Sequence, residues 1–341
     1  MGGLPRAPGR GRPGVRRLVV TGGCGFIGRN LLEVARAHGA AVRVVDDLSA
    51  GTRDDLEAFG PVERLAAPGP WPWTDAIQVL RADVRDAAVV RRACRDADAV
   101  VHLAAATGIV ESLADPLGHA TANVLGTVAV LEACRQEGVA RCVVASSGAA
   151  VGAALPPVHE ATLPAPISPY GASKLAAEAY VHAYRASFGL AAVALRFSNV
   201  YGPHSAHKSS VVAGFIGRVL AGRPLVVYGD GRQTRDFVFV RDLVAAIWAA
   251  LGTPALPGAV YQVASGVETP IGELVRLLGD LAEARLGRRP VVEHRPRRPG
   301  EVERNSADVS RARRELGLAE PTPLPQGLAI TFDWFLARRG G

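Results

Sequence analysis

Leu18-Val19-Val20-Thr21-Gly22-Gly23-Cys24-Gly25-Phe26-Ile27-Gly28 decides the fold. Apolar β-formers give a short buried strand, the glycines give a tight turn, and a helical apolar period runs on through about His38. Glycines let the backbone turn tightly. They also let a pyrophosphate approach the free amides and positive dipole of a helix N-terminus. Gly22, Gly25, Phe26, Ile27 and Gly28 are therefore the first expected contacts of a dinucleotide. A glycine pattern alone is weak evidence; its place between strand and helix gives it weight.

Outward from that turn, Ala41-Val42-Arg43-Val44-Val45 is a second strand that ends in Asp46-Asp47, where a ribose-binding carboxylate belongs. Asp46 is expected to accept from the adenosine hydroxyls. Its charge would repel a 2′-phosphate, which favours NAD over NADP. Asp47 reads as a turn cap and Arg53 as a solvated helix residue. Gly60 to Asp75 has neither period and holds Trp71-Pro72-Trp73, so it reads as a surface loop packed on its own domain.

Strands at Ile77–Arg81 and Ala99–Leu103 end in Asp83-Val84 and in Ala104-Ala105-Ala106. Strand ends carry the ligand contacts in this architecture. Asp83 can accept from an adenine amine, Val84 can pack on the ring, and the alanines leave room. His102 reads as a hydrogen-bonded core residue. Further strands at Cys142–Ala145, delivering Ser146-Ser147, and at Val193–Phe197 continue the alternation with helices. The fold class is α/β, a Rossmann-type doubly wound parallel sheet with right-handed crossovers, followed by a smaller C-terminal α/β substrate domain. The expected division is a disordered basic tail over 1–17 and a dinucleotide-binding domain over 18–197. Strands near 236–263 return to that domain, and 198–338 forms most of the substrate domain.

Composition narrows the classes. Hydrophobic content of 48% is ample for a core, and no apolar run approaches the roughly 18 residues of a membrane span. Cys24, Cys94, Cys134 and Cys142 lack metal-type spacing and read as reduced thiols of a cytoplasmic protein, with no metal site expected. Most of the net charge of +7 sits on Arg6, Arg10, Arg12, Arg16 and Arg17 of the Gly/Pro/Arg tail. The charge is thus not a folded basic face, and no nucleic-acid partner is expected.

Ser168-Pro169-Tyr170-Gly171-Ala172-Ser173-Lys174 opens an alanine-rich helix and puts a phenol and an amine on one face, four residues apart. The ammonium favours the phenolate, so Tyr170 can serve as a base near neutrality. Of 39 Lys+Arg, only Lys174 and Lys208 are lysine. A lysine kept in so arginine-rich a chain points to a need for one.

From Leu18 to about Leu336 the chain resembles the extended short-chain dehydrogenase/reductases of the NAD-dependent nucleotide-sugar epimerase/dehydratase family. The resemblance rests on Thr21 to Gly28, Asp46-Asp47-Leu48-Ser49, Asp83-Val84-Arg85-Asp86, His102 to Ala105, Tyr170 to Lys174, and Arg196-Phe197-Ser198-Asn199-Val200-Tyr201-Gly202-Pro203. It implies Tyr170, Lys174 and Ser147 as catalytic residues. It adds Asp47, Leu48, Ser49, Gly51, Leu103, Ala104 and Ala105 to the NAD contacts, together with Tyr170 and Lys174 themselves. Thr107, Ser147, Asn199, Val212, Tyr228, Arg235, Arg298 and Glu301 become the expected substrate contacts. Arg235 and Arg298 suit a diphosphate because a guanidinium can bind it through paired, charge-assisted hydrogen bonds.

Two departures from the family pattern stand out. Val151-Gly152-Ala153 replaces a common Val-Tyr-Gly, and Gly148 falls where a Ser or Thr is usual, so Ser147 takes the hydroxyl role with Ser146 in reserve. Dehydratases of the family place an Asp-Glu pair after the catalytic Ser/Thr, whereas Gly148-Ala149 carries no carboxylate. The resemblance therefore implies a UDP-glucose/UDP-galactose-type 4-epimerase working through a transient 4-keto sugar. A UDP-uronate 4-epimerase, a nucleotide-sugar dehydratase, a 4-keto reductase and an NAD-sensing binding protein remain the alternatives. Lys208 reads as solvent-facing, with a phosphate or a substituted sugar as its other possible contact. A homodimer through the helices around Asn123 and starting near Tyr170 is also implied.

Overall fold

The computed structural model describes residues 14–66, 69–208, 210–253, 255–297 and 302–338. Its first part alternates as expected: β1 (Arg17–Thr21), α1 (Phe26–Ala37), β2 (Ala41–Asp46), β3 (Val62–Arg64), β4 (Ile77–Arg81), α2 (Ala87–Ala93) and β5 (Ala99–His102). Helices α3 (Ile109–Ala114), α4 (Pro116–Ala120) and α5 (Gly126–Gln136) lead to β6 (Arg141–Ser147), α6 (Pro169–Phe188) and β7 (Ala192–Phe197). The remainder is β8 (Asn199–Tyr201), α7 (Val211–Leu220), β9 (Leu225–Tyr228), β10 (Thr234–Phe239), α8 (Val240–Gly252), β11 (Val260–Val263), β12 (Glu268–Pro270), α9 (Ile271–Leu286), β13 (Val292–Arg295), α10 (Ser310–Leu316) and α11 (Leu324–Ala337).

Eight strands form one parallel sheet in the order β11-β7-β6-β5-β1-β2-β4-β3. The order reverses between β1 and β5, so their carboxyl ends open the crevice in which such sheets bind ligands. In register, Thr21 of β1 faces His102 of β5. Alternate residues of the strands feed two cores, one on each face: Val20 and Val44 lie in one, Val19 and Val45 in the other. Burial on both faces explains why these strands are continuous apolar runs.

Three expectations need correction. The tail does not extend to residue 17: Arg17 opens β1, and the amides of Arg16 and Arg17 both donate to the Asp98 carboxylate, at 2.9 and 2.8 Å. Residues 1–13 lie outside the described ones. The loop from Gly60 to Asp75 contributes the edge strand β3, which is too short for its period to show. Of the strands expected to return to the large sheet, only β11 does so; β10 joins β8 and β12 in a separate three-stranded sheet.

The two tryptophans pack on their own domain. Arg43, buried within β2, lies 4.0 Å from the Trp73 ring and donates to the Trp71 carbonyl at 2.7 Å, and Arg92 covers Trp71. Bonds to the Gln78 side chain and the Ala93 carbonyl satisfy the rest of the Arg43 guanidinium. The loop therefore closes over a buried cation that would otherwise be left unpaired. All four cysteines are free and buried.

Candidate active site

The glycine turn closes against the neighbouring strand end. The Thr21 carbonyl accepts from Leu103 N and the Thr21 hydroxyl contacts the His102 ring at 2.7 Å, while Thr127 approaches the other ring nitrogen at 3.2 Å. His102 is thus a bonded core residue; burial pushes its pKa down to about 3, so it stays neutral. Gly28 sits so close to the turn that a Cβ there would lie 2.6 Å from the Gly22 carbonyl oxygen. Helix α1 starts at Phe26 with no side-chain cap and no acid in its first turn, leaving its amides for an anion.

Asp46 is buried at the end of β2. Its two oxygens accept from Cys24 N and Leu48 N at 2.9 and 2.8 Å, which aims the carboxylate; burial, the larger influence, raises its pKa. Asp47 caps its turn through Ser49 N and Oγ. Gly51 meets Cys24 and Leu48 packs on the core, so both shape the turn from behind, and neither lines the cleft. Asp83 lines the cleft but is forked by Arg85, which lowers its pKa.

A cleft of about 300 Å³ joins these groups to the other end of the site. Its walls include Gly22, Gly25, Phe26, Ile27, Gly28, Asp46, Asp47 and Ser49 from the first strands. Asp83, Val84, Leu103, Ala104, Ala105, Thr107, Tyr170 and Lys174 complete them among the expected site residues. One continuous cavity thus gathers most of the expected cofactor contacts with the acid/base pair.

Ser168 caps α6 by accepting from Gly171 N, and Pro169 occupies the first turn. A Cβ on Gly171 would lie 2.3 Å from the Ala149 carbonyl, so a glycine lets the tyrosine helix approach the serine turn. Burial raises the Tyr170 pKa, and the nearby Ser147 hydroxyl opposes this more weakly by favouring the phenolate. Ser146 is committed elsewhere: its hydroxyl donates to the buried Glu178, which also takes Arg196 at 2.8 and 2.7 Å. Lys174 donates to the Ala145 carbonyl at 3.0 Å, and burial lowers its pKa to about 8.

Sequence reasoning gave no role to Asn123, Glu178 or His119. Asn123 lies in a π-turn between α4 and α5, bonds both backbone groups of Ala106 and donates to Ser173 Oγ, so it ties three walls together. An asparagine inside an apolar alanine-rich helix was the available signal. His119 stands edge-on to Tyr170 at 6.3 Å. Lys208 was expected to face solvent; it lines the cleft, as does His207.

Of the expected substrate contacts, Thr107 lines this cavity, whereas Asn199, Val212, Tyr228 and Arg235 do not. Asn199 donates to the Asp236 carbonyl at 3.2 Å, and Arg235 donates to the carbonyls of Thr234 and Val302. Tyr228 ends β9, and its carbonyl accepts from Gln233. Val212 is turned into the core, so its side chain is not presented to a nucleotide base; the half-buried Val211 precedes it. Arg298 and Glu301 lie outside the described residues.

The profile of the NAD dependent epimerase/dehydratase family matches residues 18–264. The chain belongs to that family. The UDP-glucose 4-epimerase of Mycolicibacterium smegmatis (strain ATCC 700084 / mc(2)155) is 36% identical over 94% of this chain and 98% of its own. The dTDP-glucose 4,6-dehydratase of the same organism is 34% identical over 94% and 93%. The UDP-glucose 4-epimerase of Thermus thermophilus, solved in complex with NAD, superposes with a TM-score of 0.80 at 35% identity, covering 94% of this chain and 99% of that one. The family is NAD-dependent, and the residues here fit the cofactor: a glycine cradle, an uncapped helix end and an aimed, buried Asp46.

Proposed function

We propose that the protein is an NAD-dependent 4-epimerase of a nucleotide-diphosphate sugar, with UDP-glucose and UDP-galactose as the pair it interconverts. One observation carries the reading. The only carboxylates lining the cleft among the described residues are Asp46, Asp47 and Asp83, all from the strands on the adenosine side, and the turn after Ser147 is Gly148-Ala149. Glu178, an acid of the tyrosine helix itself, is buried and held by Ser146 and Arg196. Removal of water from the sugar needs an acid or base beside C5 and C6, and this wall supplies none.

In the forward step Tyr170 takes the proton from the sugar 4-hydroxyl. The bound NAD supplies the acceptor for the C4 hydride. Ser147 holds the same hydroxyl and the phenol in one hydrogen-bonded line, and Lys174 adds the positive charge that favours the phenolate. A 4-keto sugar formed in this way would turn over in the site and take the hydride back on its other face, with Tyr170 returning the proton. Asn199, Arg235 and Arg298 are proposed for the diphosphate, Tyr228 and Glu301 for the nucleoside, and Thr107 for the sugar.

The partner is proposed to be a second copy of the chain. Exposed Ile109, Val110, Leu113, Leu117 and Leu125 before α5, with Tyr180 and Phe188 on α6, offer the apolar surface. No helix among the described residues is long and apolar enough to cross a membrane. The test is incubation with NAD+ and each of UDP-glucose, UDP-galactose, their N-acetyl forms and UDP-glucuronate. The expected result is an isomer of unchanged mass from the glucose/galactose pair. Loss of water or carbon dioxide defeats the epimerase assignment.

A further inference from the structure

Both lysines of this arginine-rich chain line one cleft. Lys174 belongs to the acid/base pair. Lys208 comes from a different part of the chain, the segment that follows β8, and its side chain is half-buried. Its ammonium has no protein partner among the described residues, whereas the other charges of the cleft are engaged. Arg85 forks onto Asp83, Lys174 is bonded to the Ala145 carbonyl, and Asp46 and Asp47 are taken by amides and Ser49. An ammonium in a half-dry cleft without a counter-charge is costly unless an anion joins it.

Its surroundings say which anion. The preceding residue, His207, lies 3.5 Å from Arg29 in the first turn of α1. Arg29 itself is spent on Asp55, at 2.9 Å. Lys208 therefore lines the same cleft as the uncapped helix end and the Gly28 cradle, with a free cation. A helix end carries about half a unit of positive charge, while a dinucleotide's pyrophosphate carries about two negative charges.

We propose that Lys208 is a second clamp on the pyrophosphate of NAD, so that residues 203–208 form a strap from the sugar-binding half across the bound cofactor. The proposal depends on the NAD site and not on the epimerase reading. A compact ammonium on a flexible stem suits a strap that must lift for exchange, where a planar guanidinium is more rigid and bulkier. The same charge acts on Lys174, adding to the effect of burial in lowering its pKa, so pyrophosphate binding that neutralises Lys208 also adjusts the acid/base pair.

The test uses the full chain stripped of cofactor, as wild type, Lys208→Ala, Lys208→Gln and Lys208→Arg, titrated calorimetrically with NAD+, ADP-ribose and adenosine. Loss of a charge-assisted hydrogen bond predicts about tenfold weaker binding of NAD+ and of ADP-ribose by the Ala and Gln variants, faster NAD release, and unchanged adenosine binding. Lys208→Arg restores most of the affinity. The proposal is overturned if both variants hold ADP-ribose as wild type does, or if adenosine weakens equally, which would mark a structural defect. It is also overturned if only UDP-glucuronate binding to the NAD-loaded chain suffers, which would move the cation to an acidic sugar, or if wild type binds no ADP-ribose. Failure to turn over any sugar, with these affinities as expected, defeats the proposed reaction alone.

Discussion

The cofactor side and the sugar-nucleotide side of the site are prepared differently. On the cofactor side, forming the sheet already positions the groups at its strand ends: Gly28 rests on the turn carbonyls, Asp46 is aimed by two amides, and the alanines after β5 keep the wall low. On the sugar side, two of the expected polar contacts are occupied by the protein's own carbonyls. Asn199 is bonded to Asp236 O, and Arg235 to Thr234 O and Val302 O. Asp236 in turn latches the Ser265-Gly266 turn and Ala307. The first side waits for its ligand; the second exchanges internal bonds for ligand bonds. Preorganisation of this kind lowers the ordering cost of binding, so losses on the two sides should appear in different measurements.

The largest effect is expected where the two sides meet. Tyr170→Phe should lower kcat by about 10²- to 10⁴-fold, the range for a positioned acid/base, with NAD+ affinity little changed because the cradle is untouched. A large loss of NAD+ affinity in this variant would show that the cofactor side is not complete without the phenol. Lys174→Met tests what the prepared side costs. Burial holds the folded pKa at about 8, against roughly 10.4 in the unfolded chain. Between those values the unfolded state binds the proton more firmly, so this residue's contribution makes the fold more stable as pH rises. The variant loses that penalty and the Ala145 bond together. Urea unfolding should find it about 1–3 kcal/mol more stable than wild type at pH 7, with the gap closing as pH rises from about 8 to about 10. A variant less stable than wild type at pH 7 would reject the argument.

Arg235→Ala carries the comparison to the other side. Its guanidinium already bonds two carbonyls, and the diphosphate must compete for it, so the expected loss is about tenfold in KM for the UDP-sugar. NAD+ affinity should stay at the wild-type value. A fall in kcat with KM unchanged would place Arg235 at the reacting sugar instead.

The same asymmetry explains what could be read in advance. Local periods mark β1, β2, β4 to β7 and α6, and in a doubly wound sheet ligand groups follow strand ends, so the cofactor side is nearly written along the chain. Tyr170 and Lys174 needed only one helix turn. The sugar side depends on contacts between distant segments. Whether β10 pairs with β7 or with β8 cannot be told from a short apolar run, and whether Val211 or Val212 faces outward depends on how α7 docks. Lys208 reaches the cleft because of the path the chain takes after β8, which no local spacing encodes. The choice between Ser146 and Ser147 rests on Glu178 and Arg196, brought together by α6 packing on β7.

Asp83 provides the finest probe of the comparison, because it is the one cofactor-side acid already engaged by a charged side chain. Arg85 forks its carboxylate, and the arginine and aspartate side chains are close to half exposed, at 49% and 41%. An exposed pair of this kind contributes about 0–1 kcal/mol and weakens with salt. If the adenine amine must displace or share Arg85, the net gain from Asp83 is of that same size. Asp83→Asn should then weaken NAD+ binding by no more than about fivefold, and Arg85→Ala should strengthen it slightly at low salt, an advantage that fades as salt rises. Isothermal titration at two salt concentrations reads both. A loss beyond about tenfold for Asp83→Asn would mean that Arg85 and Asp83 act on the adenine together, and that the cofactor side, like the sugar side, rearranges to bind.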